Sequence, residues 1–129
     1  MSNIDIERSL APWLFVRDSL KAVQFYKDAF DAVEKYRHEG RGGVVAKLST
    51  GSSEFWVSDE APEHGNLSPE TLKGTSFRIL VTDPDPDASF ARACSAGATV
   101  VHPIVEGHGW RVGRLVDPFG HQWEIGRQI

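Results

Sequence analysis

Residues 12–16 form a short unbroken apolar run that ends at Arg17-Asp18. From Ala22 onward the period changes to three and four, so that Ala22, Phe25, Tyr26, Ala29 and Phe30 share one face. This predicts a strand followed by an amphipathic helix, with Asp18 or Ser19 accepting from an exposed backbone N–H at the helix start. Helical spacing fades near Asp31. Three shorter strand candidates follow at about 32–38, 43–48 and 54–58, separated by the glycines between 40 and 43 and by Gly51-Ser52-Ser53. Alternation along the first strand sends Pro12, Leu14 and Val16 toward the helix and Trp13 and Phe15 to the opposite face.

The same order then restarts. Residues 77–81 are apolar, Thr82-Asp83 follows, and Phe90, Ala93, Cys94 and Gly97 continue at helical spacing. A shift of 65 positions lays Val16-Arg17-Asp18 on Val81-Thr82-Asp83, Phe25 on Phe90 and Ala29 on Cys94, an internal repeat. Gly97 supplies a helix stop, and further strands are predicted at about 99–102, 110–116 and 122–126. Residues 58–74, with Pro62, Gly65, Asn66, Pro69 and several acids, read as a connector between the halves that could double as a lid.

A chain of 129 residues is long enough for one core and short for two. Its formal charge of -4 offers no basic footprint for nucleic acid or an anionic membrane. No apolar run reaches the length of a signal segment or a membrane span, and the single cysteine, Cys94, has no internal partner, so a reducing cytoplasm is the expected location. Asn66-Leu67-Ser68 matches a glycosylation acceptor in form only.

The segment from His108 to Gly126 contains the turn Asp117-Pro118-Phe119-Gly120-His121. Pro fixes one dihedral there, Gly permits positive φ, and the Asp carboxylate can accept from local backbone N–H groups. This segment resembles the last hairpin of the vicinal oxygen chelate superfamily, which holds glyoxalases, bleomycin-resistance proteins and extradiol dioxygenases, and in particular its PhnB-like bacterial branch. Phe15-Val16-Arg17-Asp18 through Phe25-Tyr26-Lys27-Asp28-Ala29-Phe30 is similar to that superfamily's opening strand and helix. The resemblance implies an α+β fold of two tandem βαβββ modules forming a curved mixed-sheet cleft, within one domain over residues 1–129. Module one would span about 9–59, the linker about 60–74 and module two about 75–127.

Metal-dependent members place a donor on the first and last strand of each module, which together present N and O ligands to a divalent ion. Carried onto this chain, the first-strand positions fall on Ala11 and Ser76, neither a normal donor, and the last-strand position of module two falls on Glu124. The matching position of module one depends on register. Aligning Gly51 on Gly120 gives Phe55, whereas apolar alternation turns Glu54 and Trp56 toward the cleft. Of the family ligand positions only Glu124 is retained, so no metal or other cofactor is expected, and a divalent ion is disfavoured.

His38 and His102 fall in predicted strands, His64 in the connector, His108 before a strand and His121 in the final turn, none at a ligand position. Alternation from Ser76 puts Arg78 on the face of Glu124, as an ion pair or as a binder of an anionic group. Trp13, Phe15 and Trp56, joined by Trp110, would supply flat apolar walls for a ligand or else fill the cleft or a dimer interface, and Arg111 stands next to Trp110. The candidate ligand-binding set is therefore Trp13, Phe15, Trp56, Arg78, Trp110, Arg111 and Glu124. The function it implies is binding of a small organic molecule, without metal, in a homodimer. The alternative is a metal-dependent lyase, isomerase or dioxygenase, with no catalytic residue assignable. Neither nucleic acid nor membrane is an expected partner.

Overall fold

The computed structural model describes residues 6–129, and within them the repeat in the sequence becomes two copies of one supersecondary unit. The first holds strand β1 (Trp13–Val16), helix α1 (Ser19–Phe30) and strands β2 (Val33–Gly40), β3 (Gly43–Thr50) and β4 (Ser53–Asp59), in sheet order β1-β4-β3-β2. The second holds β5 (Arg78–Thr82), helix α3 (Pro86–Ala96), β6 (Thr99–Gly107), β7 (Trp110–Val116) and β8 (Gln122–Gln128), in order β5-β8-β7-β6. In each unit the first strand lies parallel to the last and the remaining pairs are antiparallel. The fold is α+β, as expected. Among the described residues β1 and β5 do not pair with each other, so the chain carries two separate four-stranded sheets rather than one continuous sheet.

Local chemistry explains where the helices begin and end. Asp18 caps α1 by accepting from Lys21 N at 3.1 Å, which frees Ser19 to accept from Val44 N at 2.9 Å and anchor β3. In the second unit the cap moves from Asp83, the repeat counterpart of Asp18, to Asp85, because Pro86 opens the helix and needs no N–H partner. Asp83 instead accepts from Asp85 N and Ser89 Oγ. β6 runs well past the predicted stretch. Pro103, which cannot donate to a ladder, interrupts its pairing between His102 and Val105 and hides the second half of the strand from a pattern reading.

Side chains alternate across the sheets as the pleat demands. Leu14, Val16, Ala46, Leu48, Phe55 and Val57 are buried under α1, while Leu115, Trp123 and Ile125 are buried on the α3 side of the second sheet. The two units meet through their helices and through Trp123, whose ring lies 4.4 Å from that of Phe30. A buried carboxylate ties them together: Asp117 accepts from Phe119 N and His121 N with Oδ1 and from Tyr26 Oη and Trp123 Nε1 with Oδ2. His121 adds a second link, its Nε2 lying 3.0 Å from the Phe15 carbonyl of β1.

The connector is pinned to this core. It forms a short turn at Pro62–His64 and a single helical turn, α2 (Pro69–Leu72), capped by the buried Ser68. Glu60 accepts from Ser68 N and Thr71 Oγ1, both at 2.9 Å, and Pro69 lies against Gly120 of the final turn. No helix among the described residues is long and apolar enough to cross a membrane.

Candidate functional site

Since α1 and α3 each cover one face of their sheets, the other faces stay open, and the pairing registers fix which residues share them. On the first sheet Trp13 lies beside Trp56, Trp56 opposite Lys47, and Lys47 opposite Tyr36, one residue from each strand in a single row. The Trp13 and Trp56 rings stack at 5.0 Å with an interplanar angle of 11°. Phe15 continues the stack at 6.3 Å, and Tyr36 meets Trp56 edge-on at 5.9 Å. Lys47 Nζ lies 5.6 Å from the Trp56 ring, a cation–π distance, and 3.7 Å from the Glu54 carboxylate. The indole N–H of Trp13 donates to Ser58 Oγ at 2.9 Å, which fixes the plane of the ring, yet Trp13 remains 46% exposed. A rigid aromatic surface of this kind offers stacking area with little side-chain ordering left to lose.

The register around Glu54 is now settled in favour of alternation. Phe55 is buried against Tyr26, so Glu54 and Trp56 face outward. Tyr36 and Lys47 were missed in the sequence, although the strict alternation of Val45, Lys47 and Ser49 with buried Val44, Ala46 and Leu48 carried the signal for Lys47.

The second open face is charged where the first is aromatic. Leu80, Glu124, Arg114 and His102 form one row across β5, β8, β7 and β6, and Arg78, Gln122, Val116 and Thr99 form the next. Arg78 Nε pairs with Glu124 Oε1 at 2.7 Å, and Arg114 Nε donates to Gln122 Oε1 at 3.3 Å. Arg78 is half-exposed, so the ion pair is screened by water and adds no more than about 1 kcal/mol to stability. It is not a buried structural device. Arg114 was also missed, though it alternates with the buried Gly113 and Leu115.

Two predicted members do not join this group. Arg111 has the parity of Gly113 and Leu115, so it turns to the helix side, where Asp87 of α3 holds it at 2.6 Å and Glu106 at 3.4 Å. The two carboxylates push its pKa further above the ordinary arginine value, and Arg111 in turn holds the Asp87 carboxyl below its usual range. Trp110 keeps the open-face parity but sits opposite Gln128, whereas Arg78 sits opposite Gln122, about 20 Å along β8 at about 3.4 Å per residue. Within one chain the aromatic set and the Arg78–Glu124 pair also lie on different sheets. A cavity of about 760 Å3 lies against β5 and the turn between β3 and β4. Leu80, Val81, Phe55 and Trp123 are among its walls, and none of the seven candidate residues lines it.

A repeated strand–helix–three-strand unit with open sheet faces is matched over residues 8–125 by the model of the glyoxalase/bleomycin resistance protein/dioxygenase superfamily. The chain belongs to this superfamily. An uncharacterized protein of Mycobacterium bovis is 39% identical over 133 aligned positions, covering 98% of this chain and 87% of its own length. Among solved structures, TioX from Micromonospora sp. ML1 matches with a TM-score of 0.76 at 25% identity, covering 95% of this chain and all of its own. An Arabidopsis thaliana gene product matches with a TM-score of 0.72 at 27% identity and the same coverage. The superfamily fold hosts many chemistries, so membership does not choose among them.

The divalent ion that the superfamily implies finds a poor donor set in this chain. Ala11 and Ser76, which the resemblance sets at the first-strand positions, lie just before β1 and β5 and are not normal metal donors, while Glu124 is engaged by Arg78 and Glu54 by Lys47. Among the described residues no three His, Cys, Asp or Glu side chains converge on a point where an ion could sit.

Proposed function

We propose that this protein binds a small, flat organic molecule without metal, in a cleft walled by Trp13, Phe15 and Trp56 on one side and by Arg78 and Glu124 on the other. The observation that carries the reading is the parallel, partly exposed Trp13–Trp56 pair, held in plane by Ser58. The partly exposed stacked indoles on the open sheet face match the face of an aromatic or conjugated ligand.

The two walls belong to different sheets, so a second copy completes the cleft, the module one of each protomer facing the module two of the other. Support comes from the unpaired edges of β1 and β5, along which Trp13, Phe77 and Leu80 are each about half exposed. A twofold pairing of this kind satisfies both edges at once and gives two equal clefts. The lone, partly buried Cys94 is consistent with a reducing cytoplasm.

Calorimetric titration with 1-naphthamide, a neutral planar probe, tests the reading. Binding that is lost in Trp56→Ala but kept in a folded Trp110→Ala variant supports it. A Trp56→Ala protein that binds as well as the parent overturns it. The Arg78→Met, Glu124→Gln double variant removes both charges without stranding either. With the fold intact, it should weaken ligands that carry a polar group and spare naphthalene itself.

A further inference from the structure

We infer that the charged wall is an oxyanion site, in which Arg78 and Arg114 together receive the carboxylate or phosphate group of an aromatic ligand. The inference rests on the binding reading above and names the ligand's chemistry. The open face of the second sheet presents two guanidinium groups, one carboxylate and His102. It is a cationic spot on a chain whose net charge is -4, so it runs against the field of the whole molecule.

The use made of each guanidinium decides what it can still bind. Arg78 engages Glu124 through Nε, and Arg114 engages Gln122 through Nε. Neither Nη pair donates a hydrogen bond to the described residues. The free end of each group is thus the two-pronged one, which matches the paired oxygens of a carboxylate or phosphate. The registers bring the two together. Arg78 starts in the row of Gln122 and leans to Glu124, while Arg114 starts in the row of Glu124 and leans to Gln122, so the two side chains cross over β8 from opposite sides. Glu124 then acts as a positioning residue. It neutralises one of the two cations and holds Arg78 over the sheet, leaving a net positive charge for the incoming anion.

The repeat gives a further reason. The shift of 65 positions lays Trp13 on Arg78 and Phe15 on Leu80, so the stacking surface of one module corresponds to the cationic surface of the other. Facing each other, the two walls select a molecule with an aromatic body and an anionic end.

The test compares 1-naphthoate, 1-naphthyl phosphate and 1-naphthamide on the full chain by calorimetry. One of the two anions is expected to bind at least about tenfold more tightly than the amide, the size of a charge-assisted hydrogen bond, and the tighter anion tells carboxylate from phosphate. Arg114→Met should remove that preference, and Arg114→Lys should restore part of it. If the amide binds as tightly as both anions, or if folded Arg114→Met and Arg78→Met proteins both keep the preference, the inference fails while the aromatic cleft stands. If no probe binds, or binding survives Trp56→Ala, the cleft reading itself fails and this inference falls with it.

Discussion

Tyr26 of α1 donates a 2.5 Å hydrogen bond to Asp117, 91 residues later in the chain, and so joins the two modules through a carboxylate that water does not reach. Burial first, and the neighbouring Asp117 charge second, raise the Tyr26 pKa well above its ordinary value of 10.0. A phenol whose folded pKa is raised stabilises the protein below the unfolded pKa, and that contribution is lost as pH climbs through and above it. The expected outcome is stability that falls above about pH 10, by at most about 1.4 kcal/mol per pH unit for this one proton. Absorbance titration should show Tyr26 ionising only as the chain unfolds. A native-state titration of both tyrosines near their ordinary value would refute it.

Replacing the same phenol tests its energetic role. Tyr26→Phe leaves Asp117 with three donors and should cost about 1–3 kcal/mol, measured as a shift in urea midpoint. Asp117→Ala removes the acceptor of all four bonds and should cost more than Tyr26→Phe. Equal midpoints for Tyr26→Phe and the parent would show that the bond between modules contributes nothing.

The Asp117 network marks where the sequence stopped being legible. The turn chemistry of Asp117-Pro118-Phe119-Gly120-His121 was readable because its hydrogen bonds are local, and the structure shows both backbone N–H bonds to Oδ1. Its bonds to Tyr26 and Trp123 depend on how the modules pack, which no local period encodes. The assignment of Trp13, Phe15 and Trp56 to an open face followed from alternation and agrees with the structure, whereas Arg111 turns to the helix side, away from that group. Counting from the buried Leu115 would have turned Arg111 to the helix and Arg114 to the open face.

A small residue at position 43 is required by space. A Cβ built on Gly43 would lie 1.7 Å from Asp59 Oδ2 and 2.9 Å from Ser19 Oγ, in the network that ties α1 to the β2–β3 hairpin. Gly43→Ala is expected to cost about 1–3 kcal/mol by overpacking. Adding Asp59→Ala should cost less than the sum of the two single changes, since the clashing carboxylate is gone. Strict additivity in the double-mutant cycle would mean that the crowding is relieved elsewhere.

Protein purified without added metal is expected to carry no stoichiometric iron, zinc or nickel, because Ala11 and Ser76 supply no donors and Glu124 is paired with Arg78. Elemental analysis finding about one such ion per chain, lost on Glu124→Gln, would overturn both this prediction and the metal-free reading.

The last prediction concerns assembly. β1 and β5 each end a sheet, and an end strand with exposed apolar residues is a template for another chain unless something covers it. Leu80 is 49% exposed at the β5 edge, in the row that holds Glu124 and Arg114, and it also lines the cavity beside module one. A charge at this position should oppose both edge pairing and closure of the cleft, while leaving the core beneath α3 untouched. Sedimentation is therefore expected to show a dimer for the parent at micromolar concentration and a folded monomer for Leu80→Glu, with 1-naphthamide binding lost in the monomer. A parent that sediments only as a monomer and still binds the probe would place the whole site within one chain, contrary to the separation of the two walls described above.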